Sequence, residues 1–146
     1  MKHLRAIGAL AILLAGGQVA MAQEIPDLKG TWTPSQGAHI VSGQSHHSES
    51  GTVPMPGDDT LQTHTTKFTF RFEGQEGRTF WGELSSGKVS EKLIGAISVD
   101  GKRFVIADKD GSFNGTLVDK DTLDYCYTHV TETDTAVACG LLLREK

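Results

Sequence analysis

Residues 67–143 read as a succession of short strands joined by tight turns, and this repeat leaves the chain few folds to choose from. The sharpest case is Lys67-Phe68-Thr69-Phe70-Arg71-Phe72-Glu73, where a period of two puts three phenylalanines on one face and every polar side chain on the other. Such a segment is a half-buried antiparallel strand. Residues 74–77 turn the chain, and 78–84 return with Phe80 and Trp81. Residues 93–99 and 103–107 flank Asp100-Gly101, a dipeptide that tolerates the positive φ of a two-residue hairpin turn. That register sets Ile97 opposite Phe104 and Gly95 opposite Ile106. Further strands follow at 112–118, 122–129 and 136–143, separated by turns at 108–111 and 119–121. With a first strand starting near Gly30 and continuing through His39 to Val41, the count reaches about eight.

Strands spaced this evenly favour an up-and-down meander, and closing it into a barrel removes the exposed edges. Gly82, Gly95, Gly115 and Gly140 fall inside strands, where a missing side chain permits sharp bending or close approach of a neighbour. The fold class is therefore all-β: an antiparallel β-barrel of about eight strands with a long loop after the first, a β-sandwich being the alternative. Residues 36–66 are rich in Gly, Ser, Thr and His and poor in large apolar side chains, and 44–63 read as a flexible loop.

Residues 1–22 carry Lys2 and Arg5, an apolar stretch from 6 to 15 and an Ala20-Met21-Ala22 ending, the pattern of a cleaved signal peptide of bacterial style. Cleavage makes Gln23 the first residue of a single 23–146 domain, periplasmic or secreted, and no later segment has the length of apolar sequence a membrane span requires. Loss of Lys2 and Arg5 from the 14 basic residues leaves 12 against 18 acidic ones, a formal charge of −6. An acidic surface argues against nucleic acid as a partner.

Cys126 and Cys139 are the chain's two cysteines. In an oxidising compartment they pair, and a hairpin centred on Glu132 and Thr133 places them directly opposite each other, within disulfide reach. The closed loop is short, so the bond contributes about 3 kcal/mol or less. A redox-active role would call for C-x-x-C spacing, which is absent.

Leu28-Lys29-Gly30-Thr31-Trp32 resembles the opening of the calycin superfamily, the lipocalins and avidin-like proteins, whose first strand begins with Gly-x-Trp. The resemblance implies an eight-stranded barrel that binds a ligand at its open end, with Trp32 packed across the closed end against an arginine of the last strand. Arg144 fills that part here, and a guanidinium over an indole face gains cation–π attraction. The chain departs from avidin-like biotin sites, which use several tryptophans where this sequence has Trp32 and Trp81, and from lipocalins in lacking a C-terminal helix. Periplasmic inhibitors of secreted metalloproteases are similar in signal, length, Gly-x-Trp start and single disulfide, with their cysteines earlier in the chain.

Three sets of side chains are site candidates. Trp81, Tyr125 and Tyr127 offer apolar bodies with polar tips, the chemistry of a small-ligand pocket at a barrel mouth. Filling of the barrel core is the competing use for the same rings. His39, His46, His47 and His64 surround the long loop with Glu49, Asp58 and Asp59 nearby, a ligand set suited to zinc or copper but without metal-site spacing. If the flanking strands pair, His39 and His64 face each other. Asp108-Lys109-Asp110-Gly111 starts like a calcium loop, yet lacks the twelfth-position glutamate and reads as a hairpin turn. Nothing in the sequence marks a nucleophile with its base or an oxyanion hole. The expectation is a monomeric, non-enzymatic binding protein that needs no cofactor and takes a small apolar or amphipathic ligand at the barrel mouth. The alternatives are an envelope-protein interaction module, such as a hydrolase inhibitor using the arm at 23–28, and a histidine-dependent Zn or Cu binder.

Overall fold

The computed structural model describes residues 24–43, 53–55, 58–63, 67–132 and 134–146, with 53–55 and 58–63 described through their backbone pairing. Residues 1–22, read above as a signal peptide, lie outside the described residues. The strands in chain order are β1 (Gly30–Gly43), β2 (Val53–Met55), β3 (Asp58–Thr63), β4 (Thr69–Glu76), β5 (Thr79–Ser85), β6 (Ser90–Ile97), β7 (Arg103–Ala107), β8 (Gly111–Asp119), β9 (Thr122–Val130) and β10 (Asp134–Arg144). From β4 to β10 every strand pairs with the next, antiparallel, and β1 joins β10 on one side and β4 on the other. Eight strands thus close into a meander barrel. The described residues contain no helix long and apolar enough to cross a membrane.

The alternation seen in the sequence sets which side chains fill the interior. Phe70 and Phe72 on β4 are buried and Phe68 half-buried, while Thr69, Arg71 and Glu73 face solvent. Ile97 does face Phe104 and Gly95 does face Ile106. The turn between β6 and β7 is wider than two residues, however: Ser98 N–H donates to Arg103 O at 2.8 Å and Gly101 N–H to Ser98 O at 2.9 Å, with Gly101 at φ 65°. The register survives because the loop grew symmetrically about the same centre.

Two strand glycines show why the curvature needs them. A β-carbon on Gly95 would lie 2.3 Å from the Phe80 ring, and one on Gly115 would lie 2.4 Å from the Phe104 ring. Each phenylalanine covers a glycine on the neighbouring strand, which lets a small barrel hold large rings.

The long loop after β1 holds more structure than its composition suggests, since β2 and β3 pair with each other and β3 pairs with the far end of β1. A register shift between Ser35 and Ala38, where Gln36 takes φ 50°, bends β1. Its first residues pair with β4, and its last pair with β3. The Gly30–Trp32 end, filled by buried Leu28 and Trp32, is the closed end; the opposite end, with the turns at 86–89 and 108–110 and residues 131–132, is the open end.

Candidate functional site at the open end

At the closed end Trp32 is fully buried, its Nε1–H donates to Leu28 O at 2.9 Å, and the Arg144 guanidinium carbon sits 4.2 Å from the centre of its ring. Arg144 Nη2 donates to Asp27 O at 2.7 Å and Lys120 O at 2.9 Å, Nη1 donates to Lys29 O, and Nε reaches Asp121 Oδ1 at 3.1 Å. Gln75 adds bonds to Leu28 N and Pro26 O, both 2.8 Å. The segment preceding β1 is therefore fastened to its own barrel. Arg144 thus lies over the Trp32 ring and beside Gly30, where a β-carbon would come within 3.3 Å of Nη1.

Trp81 does not share a surface with the two tyrosines. It faces outward, 45% exposed, with its ring lying over Gly74, where a β-carbon would come within 2.2 Å of it. Parity explains the placement: Phe80, Gly82 and Leu84 take the inward positions of β5. Trp81 pairs with exposed Ile94 on β6 instead.

Tyr125 and Tyr127 point inward. Tyr125 packs against Phe70 and Phe113, with ring centres 6.3 and 5.8 Å away. Tyr127 tilts against Phe113 at 4.4 Å and leans over Gly111, where a β-carbon would meet its ring at 2.5 Å. Above this layer Phe68, Phe70, Leu84, Phe113, Tyr125, Tyr127 and Ala138 surround an apolar cavity of about 70 Å³. Ala138 leaves the space because it stands opposite Tyr127 with only a methyl group.

Tyr127 also connects the cavity to a polar cluster. Its hydroxyl lies 3.2 Å from His129 Nδ1; the same nitrogen is 3.2 Å from Asp110 Oδ1, and His129 Nε2 is 3.0 Å from Asp134 Oδ1. Asp134 is held by Thr131, whose hydroxyl donates to its carboxylate and accepts from its backbone N–H at 3.1 Å. Glu91, Asp108 and Asp110 present carboxylate oxygens within 4.8 Å of one another. Asp108 Oδ1 accepts from the amides of Asp110 at 3.2 Å and Gly111 at 2.5 Å, an Asx turn that fixes the loop. Asp108 Oδ2 is buried, and the Asp108 carboxylate interacts with the Tyr127 hydroxyl. The Tyr127 hydroxyl is held well above the ordinary tyrosine range, first by burial and then by the Asp108 and Asp110 charges.

Sequence reasoning weighs Asp108 and Asp110 as a calcium-like loop before reading them as a turn, and misses Glu91, His129 and Asp134, although a signal exists for Glu91 and His129. Glu91 shares inward parity with Leu93, Gly95 and Ile97, and His129 shares it with Tyr125 and Tyr127. A charged residue on an inward position is the cue. The 108–111 segment is the hairpin turn expected, between β7 and β8.

Of the four histidines proposed as metal ligands, only His39 is among the described residues; His46, His47 and His64 lie outside them. His39 is partly buried opposite Ala138, and burial lowers its pKa. Among the described residues the arrangement with metal-ligand spacing is instead the Glu91, Asp108 and Asp110 trio, an oxygen set that suits a hard cation better than zinc or copper.

On the outer face Cys126 and Cys139 are bonded, in the direct register expected, with Cα atoms 4.0 Å apart. Comparison with family models, curated proteins and solved structures found no match to this chain.

Proposed function

We propose that this protein is a non-enzymatic binding protein that receives a small amphipathic ligand at the open end of its barrel. The observation that carries this reading is the cavity between β4, β5, β8, β9 and β10, apolar on its walls and bordered through Tyr127 by Asp110 and His129. An apolar pocket with a few convergent polar groups is the usual form of a small-molecule site. At about 70 Å³ the space takes a few heavy atoms, so the ligand is small, or enters by one short apolar end. The lipocalin and avidin-like resemblance at Gly30, Trp32 and Arg144 points the same way, because that architecture binds at the end opposite its tryptophan. The signal-like N-terminal segment and the disulfide support a periplasmic or secreted setting.

Native mass spectrometry on protein purified from its own envelope or medium tests the reading. The expected result is an oxidised monomer starting at Gln23 with a retained small mass. A bare barrel that instead comes down with an envelope protein would favour the interaction-module alternative. Retention of zinc or copper, lost when His39, His46, His47 and His64 are all changed to alanine, would favour the histidine-dependent reading.

A further inference from the structure

We propose that the outer face carries a thiol-exchange site: an external thiolate enters the groove over β7 and β8 and attacks Cys126 Sγ, expelling Cys139 as the leaving thiolate. The site lies on the opposite face of the sheet from the ligand cavity and does not depend on the reading given to it.

Strand register sets the direction of attack. Cys126 and Cys139 are bonded, directly opposed on β9 and β10, and both exposed. An incoming thiolate displaces one sulfur by attacking the other from behind, along the S–S axis. Attack on Cys126 therefore comes from the β8 side, where Asn114 stands opposite it, and attack on Cys139 from the β1 side, where Ala38 does.

The two approaches differ. Ala96, Val105, Asn114 and Cys126 are opposed in series and form one exposed row across β6 to β9, with no charged side chain in it. The same four residues line a groove on the outer face, so the groove leads to Cys126, whereas Cys139 is not among its walls. Arg103 also lines it, and a guanidinium favours a thiolate over a thiol. Asp124, the next outward residue of β9, is kept one strand away from Arg103 by Thr116. On the β1 side the approach to Cys139 meets the bulge between Ser35 and Ala38, where a β-carbon on Gly37 would lie 3.6 Å from Cys139 O. Both the groove and the register thus select Cys126 as the sulfur attacked.

In the first step a bond forms between the external sulfur and Cys126 Sγ while the Cys126–Cys139 bond breaks, its electron pair leaving on Cys139 Sγ. A second thiolate then attacks the external sulfur and releases Cys126 as a thiolate. The two electrons gained by the cysteines are those lost by the two thiols, which end as a disulfide. A catalyst of such exchange would use C-x-x-C spacing; here the pair is the substrate.

The test treats the oxidised protein with β-mercaptoethanol under native conditions, stops exchange with acid at early times and maps the adduct by mass spectrometry. The adduct should sit on Cys126 about tenfold or more over Cys139, and the rate should rise in proportion to thiolate concentration. Asn114→Phe, which sets a ring in the path to Cys126, should slow the reaction about tenfold, and Ala38→Phe, on the path to Cys139, should leave it unchanged. An adduct on Cys139 or shared equally, or equal slowing by both substitutions, would overturn the assignment. So would a rate that reaches a ceiling as thiol is added, since exchange would then wait on unfolding. The mapping needs no substitution, so it decides the matter even where a variant fails to fold.

Discussion

The two ends of this barrel are made by the same alternation of strand residues, yet their inward positions are filled in opposite ways. At the closed end, Leu28, Trp32, Phe72 and Phe80 pack as an apolar plug, and Arg144 and Gln75 satisfy the backbone of the chain that crosses it. The open end places Glu91, His129 and Asp134 on buried positions and leaves an apolar gap beneath them. Burying carboxylates works against stability unless each is well satisfied, and a gap forfeits dispersion contacts. A fold can tolerate both at one end when the other end supplies the stability, and natural proteins commonly place such costs where they bind. The contrast teaches that the closed end is packed to hold the fold, while the open end carries the groups on which the proposed binding role rests.

Substitutions can break or sharpen that contrast. The largest effect belongs to Trp32→Ala, which empties the plug and removes the ring beneath Arg144; denaturant unfolding should show a loss of about 3–5 kcal/mol. Next comes removal of the disulfide by Cys126→Ser with Cys139→Ser, expected to cost about 2–3 kcal/mol without altering ligand affinity, because the bond lies on the outer face. Arg144→Lys keeps the charge but cannot reproduce the fork that joins Asp27, Lys29, Lys120 and Asp121, and should cost about 1–2 kcal/mol by the same measurement.

At the open end the sign should reverse. Asp108→Asn retains the turn cap and removes one of three clustered negative charges, so stability should stay level or rise by up to about 1 kcal/mol. A loss as large as that of Trp32→Ala would show that the cluster anchors the fold and would end the contrast.

The smallest effects are those of pH. Burial lowers the His39 pKa, so the unfolded chain binds the extra proton more readily than the folded one. The associated stability is present above the unfolded value of about 6.5 and is lost as pH falls through the folded pKa; His39→Gln should remove that part of the acid slope in a thermal melt series. For Tyr127 the shift is upward, so its contribution is present below about pH 10 and is lost as pH rises beyond it. Tyr127→Phe should flatten the alkaline limb.

The barrel was legible because its signal is periodic: three phenylalanines at alternate positions of β4, the glycines of β6 and β8 opposite large rings, and a cysteine pair whose spacing fits one hairpin register. The Trp32 and Arg144 contact was legible through the motif at one end of the chain and the arginine at the other. β2 and β3 were not, because their segment lacks large apolar residues at alternate positions and its pairing depends on the far end of β1. The site was legible in part. Tyr125 and Tyr127 follow from parity, whereas residue type alone joins Trp81 to them and its own parity turns it outward. The carboxylate cluster draws its members from β6, the β7–β8 turn and the β9–β10 hairpin. They come together through the successive pairing of β6 to β10, which lines up hairpin ends that no single strand's pattern shows.

The most direct test of the account is xenon binding, read by NMR or by diffraction from pressurised crystals, since xenon enters apolar cavities without needing any polar contact. Signals of Phe68, Phe113, Tyr127 and Ala138 should shift in a saturable way while Trp32 and Phe80 at the closed end stay unchanged. Xenon lodging beside Trp32, or leaving both ends untouched, would contradict the assignment of the open end as the place this barrel keeps for a ligand.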